Sequence, residues 1–311
     1  MKHPHRIREI AHQAGLSEAT VDRVLHDRGG VRESTAREVH QAIAALDREQ
    51  AEARLTGPAV PVDVVVSGPS RFAVALRQAF DAELPDLRPA VIKPRFHLGD
   101  QEVVAILDRI GRSHSLGVIL TAPDTPEITE AVGLIGMPVV TLGVDLPESK
   151  RIAYAGISHP DAGATAAYLV GQWLADRAGD VLLVPGDDDL GAAERAAGFR
   201  AEMVARAPNR RVFDSPASSV RAIYAPAAGG TTAVVEEFAH DGRNYDVFVA
   251  HGLDAANAEL LRAHQLSAVL HQDLRADVRH ACLTILRAQG LLSGPIRSTP
   301  SAIRVITPFN F

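Results

Sequence analysis

The hydrophobic positions of the chain follow one pattern up to about residue 46 and another from residue 62. In the first pattern, apolar residues recur every three or four positions, as in short amphipathic helices. They form three groups: Ile7, Ile10, Ala11 and Ala14; Val21, Val24 and Leu25; Ala36, Val39, Ile43 and Leu46. The pattern predicts an all-α N-terminal unit over residues 1–46, with the third helix starting near Ser34, followed by a polar linker over 47–61.

From residue 62 short β-rich runs alternate with helical segments. Strands are predicted at 62–66, 91–96, 117–121, 138–142, 181–185, 247–250 and 267–270, and a strand-like run follows at 303–306. Helices are predicted at 72–84, 101–112, 128–134, 161–177, 192–207, 231–240, 255–263 and 275–289. Uninterrupted apolar strands that alternate with helices are typical of parallel sheets covered on both faces.

The number of these units favours two similar halves over one sheet, with the first half ending near Gly156. We expect an N-subdomain of about 62–156 plus 291–303. The C-subdomain is expected over about 157–290 plus 304–311.

The turn between the first two helices has residues of a specific kind. Gly15 is suited to a left-handed helix cap, and Ser17 can cap the next helix, with Thr20 facing its first turn. Two short amphipathic helices around such a turn indicate a helix–turn–helix, which reads DNA with the N-terminal part of its second helix. The alternative is a plain three-helix bundle without a DNA role.

Residues 10–46 resemble the head of the lactose-repressor (LacI/GalR) family. The match includes Ala14-Gly15-Leu16-Ser17, Thr20-Val21 and Arg23-Val24-Leu25, then Val31, Thr35, Val39, Ala42 and Leu46. The resemblance implies DNA contacts from Arg6, Ser17, Glu18, Ala19, Thr20, Arg23 and Leu55. Glu18 could accept from cytosine N4, Ala19 could meet a thymine methyl, and Arg23 could donate to guanine or phosphate.

Two features depart from this family: Asp22 in the second helix, and the linker, which lacks the family's usual Tyr-x-Pro-Asn. Asp22 replaces a residue that contacts phosphate, and it would repel DNA unless a nearby arginine pairs with it. In the linker, 53–55 is similar to the family's hinge helix, whose leucine wedges into the minor groove. Leu55 could be that wedge, or it could extend the apolar stripe of the third helix.

Net charge alone does not reveal a DNA-binding head. Residues 1–57 carry nine basic and nine acidic side chains, so the net charge of −6 lies in the remainder of the chain. A basic footprint is confined to Lys2, Arg6 and Arg8, which precede any acid.

Ligands of parallel sheets bind beyond the carboxyl ends of the strands. Those ends carry Asp, His, Gln and Arg side chains and an aromatic ring, a set that suits a sugar or a similar polyol. The core also resembles the periplasmic-binding-protein-like core of the same family, at 117–120, 137–142, 161–164, 194–199, 250–257 and 272–273. The candidate effector site comprises Ser70, Phe72, Asp124, Asp145, Arg195, His251, Asp254, Gln272 and Asp273.

Several of these residues have structural alternatives. Arg195 could be a surface arginine paired with a neighbouring glutamate, Asp273 could cap the helix that follows, and Phe72 could belong to the core. Ser158-His159 replaces an Asp-Asn pair that is frequent in relatives, so ligand contact there is open. The acidic run at 187–189 could suggest a metal, but consecutive side chains do not share a face, which favours an exposed loop.

Composition agrees with an ordinary globular protein. Of 311 residues 46% are hydrophobic and 23% charged, and Cys282 is expected to be a buried core residue. No signal peptide, membrane span, zinc spacing, phosphate loop or nucleophile elbow is recognised, so we expect no enzyme, cofactor or metal and a cytoplasmic location.

The sequence therefore predicts a helix–turn–helix head joined to an α/β periplasmic-binding-protein-like core of two parallel-sheet subdomains. The expected function is that of a transcriptional regulator, a repressor of carbohydrate-metabolism genes, whose partners are a sugar-like effector and pseudo-palindromic operator DNA. A homodimer is expected, since no heptad tail for tetramers is recognised. The alternatives are a purine or sugar-acid effector, or a transport-type sugar-binding protein.

Overall fold

The computed structural model describes residues 5–26, 28, 30–55, 59–87, 90–99, 102–186, 189–298 and 300–311, with the backbone alone for 48–55. Two compact units result, an N-terminal head that ends at Ala59 and a core that begins at Val60. No helix of the described residues is long and apolar enough to cross a membrane.

Three helices form the head. They are α1 (Ile7–Ala14), α2 (Glu18–Leu25) and α3 (Glu33–Leu55). Ile10, Val21 and Val39, one from each helix, are fully buried and hold them together. The third helix is longer than predicted, because it continues through part of the predicted linker to Leu55. A separate hinge helix at 53–55 is thus not distinguished from α3, and the Leu55 side chain lies outside the described residues.

The first half of the core is a five-stranded sheet with the order β2-β1-β3-β4-β5. Its elements are β1 (Ala59–Val66), α4 (Ser70–Glu83), β2 (Val91–Leu98), α5 (Val103–Gly111), β3 (Val118–Thr121), α6 (Pro126–Leu134), β4 (Val139–Leu142) and β5 (Ala153–Ala155). A 3-10 turn at Leu84–Leu87 follows α4. The pairs β1–β3, β3–β4 and β4–β5 are parallel. This sheet ends one residue before Gly156, where the sequence places the end of the first half.

The second half is a six-stranded sheet with the order β11-β10-β9-β8-β6-β7. Its elements are α7 (His159–Leu174), β6 (Asp180–Leu183), α8 (Ala192–Arg206), β7 (Val212–Phe213), β8 (Val220–Ala228), α9 (Thr231–His240), β9 (Val247–His251), α10 (Ala255–Arg262), β10 (Ala268–His271), α11 (Leu274–Ala288) and β11 (Arg304–Ile306). All strands are parallel except β11, which pairs antiparallel with β10. The two parallel sheets confirm the predicted fold class.

Helix α11 corrects the predicted subdomain boundary. It packs against α4, β4 and β5 of the first half. Arg275 and Arg279 of α11 each donate to the buried carboxylate of Glu83 on α4, at 2.8 Å. The chain therefore returns to the first half before Leu274, not at residue 290 as predicted. Cys282 is fully buried in this helix, as expected.

Helices α7 and α8 approach each other closely because glycines face the contact. A Cβ built on Gly163 would lie 1.9 Å from the carbonyl oxygen of Arg195, and one on Gly198 would lie 2.1 Å from that of Pro160. Any larger residue would force the helices apart. The close approach holds Arg195, in the first turn of α8, beside His159, the first residue of α7.

Strand β8 has an irregularity that the sequence hides. Its pairing with β9 runs from Ala225–Ala250 directly to Ala228–His251, so the register shifts across Pro226. Proline cannot donate to a strand ladder and is tolerated in sheets at such bulges. The Pro226 carbonyl is thereby available to another partner, which is Arg195.

Candidate DNA-binding head and effector cavity

The N-terminus of α2 has the geometry that the sequence predicts. Gly15 has a left-handed φ of 66°, and Ser17 Oγ accepts a hydrogen bond from the Thr20 amide at 3.2 Å. The Ser17 and Thr20 hydroxyl oxygens lie 2.8 Å apart. Ser17, Glu18 and Ala19 are all exposed, so the end of α2 that reads base edges in helix–turn–helix proteins is accessible.

The surface acid of α2 is held by nearby basic side chains. The Asp22 carboxylate lies 3.1 Å from Arg28 Nη1 and 3.0 Å from His26 Nδ1. The ion pair with Arg28 supplies the arginine partner considered in the sequence analysis, and it offsets the repulsion of phosphate by Asp22. Arg23 is exposed on the same helix, and Arg6, also exposed, precedes α1 with its amide donating to Glu9 at 3.0 Å.

In the core, a cavity of about 300 Å³ opens where the carboxyl ends of strands from both sheets meet. Thr121 ends β3, Gly143 follows β4, His251 ends β9 and His271 ends β10. The remaining lining residues are Pro69, Arg71, Phe72, Ala75, Val144, Ile157, His159, Asp189, Leu190, Arg195, Ala228, Gly252, Leu253, Asp254, Leu270, Gln272 and Leu274. Its volume is at the small end of the range for ligand pockets.

Arg195 is buried at the cavity with only 5% of its surface exposed. Its Nε donates to the Pro226 carbonyl at 2.6 Å, and its Nη1 donates to His159 Nδ1 at 3.1 Å. Its Nη2 lies 2.7 Å from the Asp189 carboxylate, although the angle is not that of a hydrogen bond. The arginine is therefore a buried, charge-compensated side chain and not the surface arginine of the alternative interpretation.

His159 bridges the two halves of the core. Its Nε2 donates to the Gly143 carbonyl of the first half at 2.6 Å, while its Nδ1 accepts from Arg195 of the second half. This arrangement requires a neutral imidazole with its proton on Nε2. Burial and the neighbouring Arg195 charge lower the His159 pKa to about 4, and the hydrogen bond to Gly143 only partly opposes this. We call these contacts the His159 bridge.

His251 is a buried residue of the cavity wall. Its Nε2 forms a hydrogen bond with the hydroxyl of Tyr224 at 2.9 Å, and the Tyr224 ring stacks on Phe199 with centroids 4.4 Å apart. Burial, with the Arg195 charge and His159, lowers the pKa of His251 well below its usual value. His251 is therefore also neutral near pH 7.

Gln272 is oriented by a buried acid. Its Nε2 donates to Asp277 Oδ2 at 2.6 Å, and the Ser301 hydroxyl donates to the other oxygen of Asp277. Burial raises the pKa of Asp277, while hydrogen bonds from Ser301 and Gln272 oppose that rise. Asp277 thus fixes the amide orientation of Gln272 at the cavity.

The structure brings five predicted effector residues to the cavity, namely Phe72, Arg195, His251, Asp254 and Gln272. Phe72 also packs on Gly143, since a Cβ there would lie 3.2 Å from its ring. Asp254 additionally caps α10 by accepting from the Asn257 amide at 2.7 Å.

Four predicted residues lie outside the cavity lining, and three of these have structural roles. Asp145 accepts from Arg151 Nη2 at 2.6 Å and from the Leu146 amide at 2.8 Å. Asp273 caps α11, accepting from the Ala276 amide at 3.1 Å, as the alternative interpretation held. Asp124 is exposed and accepts from Thr129 at 3.4 Å. Ser70, at the start of α4, faces a neighbouring surface groove.

The sequence prediction does not include two polar neighbours of Arg195 in the cavity, His159 and Asp189, nor the apolar residues of the lining. The sequence leaves a role for His159 open, because Ser158-His159 departs from the Asp-Asn pair of relatives. The sequence predicts Asp189 in an exposed loop, whereas it accepts a hydrogen bond from the Ala228 amide at 2.7 Å and faces Arg195. Asp187 and Asp188 lie outside the described residues. The described residues contain no cluster of three or more His, Cys, Asp or Glu placed to hold a metal ion.

Comparison with known families agrees with this division of the chain. Residues 6–47 match the family described as bacterial regulatory proteins, lacI family, and residues 62–290 match the periplasmic binding protein domain family. No match was found among curated protein sequences.

Solved structures with the same fold include both binding proteins and a regulator. One is GanP, a glucose-galactose binding protein from Geobacillus stearothermophilus, with 16% identity and a TM-score of 0.68, covering 81% of this chain and 98% of that one. AraP, an arabinose binding protein from the same organism, has 20% identity and a TM-score of 0.65, with the same coverage. A putative LacI transcriptional regulator from Bacteroides fragilis has 14% identity and a TM-score of 0.69, again with 81% and 98% covered.

Proposed function

The chain belongs to the periplasmic binding protein domain family and carries a lacI-family head, and on this premise we propose that it is a ligand-responsive DNA-binding transcriptional regulator. One observation carries the proposal: a helix–turn–helix with an exposed reading end and a core with a cleft cavity occur in a single chain. A transport binding protein needs the cleft cavity but not the helix–turn–helix. We further propose that the protein acts as a repressor in the cytoplasm.

The head is proposed to bind the major groove through α2. Glu18 and Ala19 are the base-reading positions, and Arg23 contacts guanine or phosphate. The capped N-terminus of α2 at Ser17 faces the phosphate backbone of the DNA. These side chains are exposed, so DNA contact requires no unfolding of the head.

The effector is proposed to occupy the core cavity, with a sugar or sugar derivative as the expected class. Phe72 supplies an aromatic face, and Gln272 and Asp254 supply hydrogen-bonding groups. The binding proteins for glucose and galactose and for arabinose with the same fold support this class.

Binding in the cavity is proposed to act through the two halves of the core. The cavity is lined from both sheets, and the His159 bridge joins them, so an occupant that moves one half relative to the other changes these contacts. We propose that a homodimer of such cores places two heads on a pseudo-palindromic operator and that the effector alters operator affinity. Allosteric coupling of this kind is typically about 1–3 kcal/mol.

A selection experiment tests the DNA-binding part of the proposal. The full-length protein selects duplexes from a random pool, and we expect enrichment of a site with two related half-sites. Arg23→Ala is expected to weaken binding to the selected duplex, and Glu18→Gln to change the preferred base at one position per half-site. Arg112→Ala, which removes an arginine of the core whose side chain is 78% exposed, is the control and should leave binding unchanged. A failure to enrich any duplex contradicts the proposal.

A further inference from the structure

The walls of the core cavity are rich in hydrocarbon. Phe72, Val144 and Ile157 line it along with Leu190, Leu253, Leu270 and Leu274, so apolar side chains come from both halves. The cavity therefore offers an occupant more apolar contact than hydrogen bonding.

Its polar side chains are largely engaged with the protein itself. Both nitrogens of His159 are used in the bridge, and Nε and Nη1 of Arg195 already donate to protein acceptors. The Thr121 hydroxyl donates to the Leu142 carbonyl at 2.7 Å, and the Gln272 amide nitrogen donates to Asp277. Fewer side-chain groups are therefore available to ligand hydroxyls than the polar lining suggests, although Arg195 Nη2, which has no hydrogen-bond partner, is one that remains.

The buried part of the cavity also lacks a net charge that would call for a charged ligand. The guanidinium of Arg195 lies 2.7 Å from the Asp189 carboxylate, so the two charges compensate each other. Arg71 and Asp254, of opposite charge, are exposed residues of the lining. An anionic sugar acid would meet the already neutralised Arg195.

We infer that the effector is an uncharged sugar with a methyl group where a hexose carries its C6 hydroxymethyl group, that is, a 6-deoxyhexose. The juxtaposition that carries this is an apolar wall beside polar side chains that mostly bond to the protein itself, with Arg195 Nη2 as an exception. The inference rests on the proposed function, because it names the ligand class of the same cavity. Removing one hydroxyl from a hexose removes a group that lacks a partner and leaves a methyl group for the apolar wall.

Matched pairs of sugars test the inference on the full-length protein. D-galactose and D-fucose differ only by the oxygen on C6, as do L-mannose and L-rhamnose. The thermal melting temperature of the core is measured with each sugar at equal concentration, followed by calorimetric titration. We expect the deoxy member of at least one pair to raise the melting temperature and to bind roughly tenfold more tightly than its parent.

Several results would overturn it: a parent hexose that binds as tightly as its deoxy partner, stabilisation by D-galacturonate in preference to the neutral sugars, or no stabilisation by either pair. Binding to the selected duplex is measured separately, and it distinguishes an error in the ligand class from an error in the proposed function. If a parent hexose binds and alters operator affinity, the regulator stands and only the ligand class is wrong.

A pair of isosteric variants locates the effect. Val144→Thr places a hydroxyl in the cavity wall and is expected to reduce the preference for the deoxy sugar. Val74→Thr makes the same change on the exposed face of α4, where Val74 is 57% exposed, and should keep the preference. Equal preference in Val144→Thr and Val74→Thr would contradict the role of the apolar wall.

Discussion

The His159 bridge makes a quantitative prediction about pH. Its imidazole accepts from Arg195 at one nitrogen and donates to Gly143 at the other, so protonation would place a cation against a guanidinium. The other groups facing it are Asp189, whose charge favours protonation only weakly, and the neutral His251. The perturbation is acidification of the wild-type protein from pH 7 to pH 5.

The magnitude follows from the difference between the two pKa values of His159. The ordinary pKa is 6.5, and the folded protein lowers it to about 4. Between these pKa values His159 is protonated in the unfolded chain but neutral in the folded one. The stability that is present above pH 6.5 is therefore lost as the pH falls toward 4. Between pH 7 and pH 5 this linkage costs roughly 2 kcal/mol.

The comparison variant is His159→Gln, because an amide keeps a donor and an acceptor but does not titrate. Urea unfolding is followed at pH 7, 6 and 5 by the fluorescence of Trp173, the one tryptophan of the sequence, which lies in α7 with His159. His251 and the carboxylates titrate in both proteins and cancel in the difference. Wild type should lose roughly 2 kcal/mol more than the variant; equal losses would refute the neutral, buried bridge.

Three further predictions concern glycines and a helix cap. Gly163→Ala should destabilise the core by about 1–3 kcal/mol in urea unfolding, because its Cβ meets backbone of α8, whereas Gly171→Ala in the same helix meets nothing within 4 Å and should stabilise by about 0.5–1 kcal/mol. Gly191→Ala and Gly229→Ala both strain a backbone φ near 90°, but only the Gly191 variant places its Cβ 2.5 Å from the His159 imidazole. The Gly191 variant should therefore have a lower melting temperature than the Gly229 variant, and equal melting temperatures would contradict that contact. Ser17→Ala should cost the head about 1 kcal/mol and weaken operator binding while the melting temperature of the core stays constant, and unchanged operator affinity would count against the capped α2 as the reading helix.

Much of the fold can be predicted from the sequence, because helix and strand periodicity is local. The Gly15 turn and Ser17 cap follow from residue type alone, and α9 has the predicted bounds. Strand β8 was missed because alanines and Pro226 break its apolar pattern, and its position between β6 and β9 depends on tertiary pairing. Chain order does not reveal which sheet a helix packs against, so the sequence places α11 in the wrong half.

The candidate site was less accessible to sequence reasoning. Residues at strand ends could be listed, but whether each faces the cavity depends on neighbours far away in the chain. Asp145 forms an ion pair with Arg151, and Asp273 forms one with Arg304 and caps α11. Asp189 accepts a hydrogen bond from the Ala228 amide, which holds it beside Arg195. The roles of all these residues in effector binding stay predictions.

The most direct test of the account is the affinity of the full-length protein for its selected duplex, measured by fluorescence anisotropy with and without the saturating ligand identified by thermal shift. The account predicts a change in dissociation constant of roughly 5- to 150-fold. An affinity that remains the same when the cavity is occupied would contradict the claim that the head and the core together form a ligand-responsive regulator.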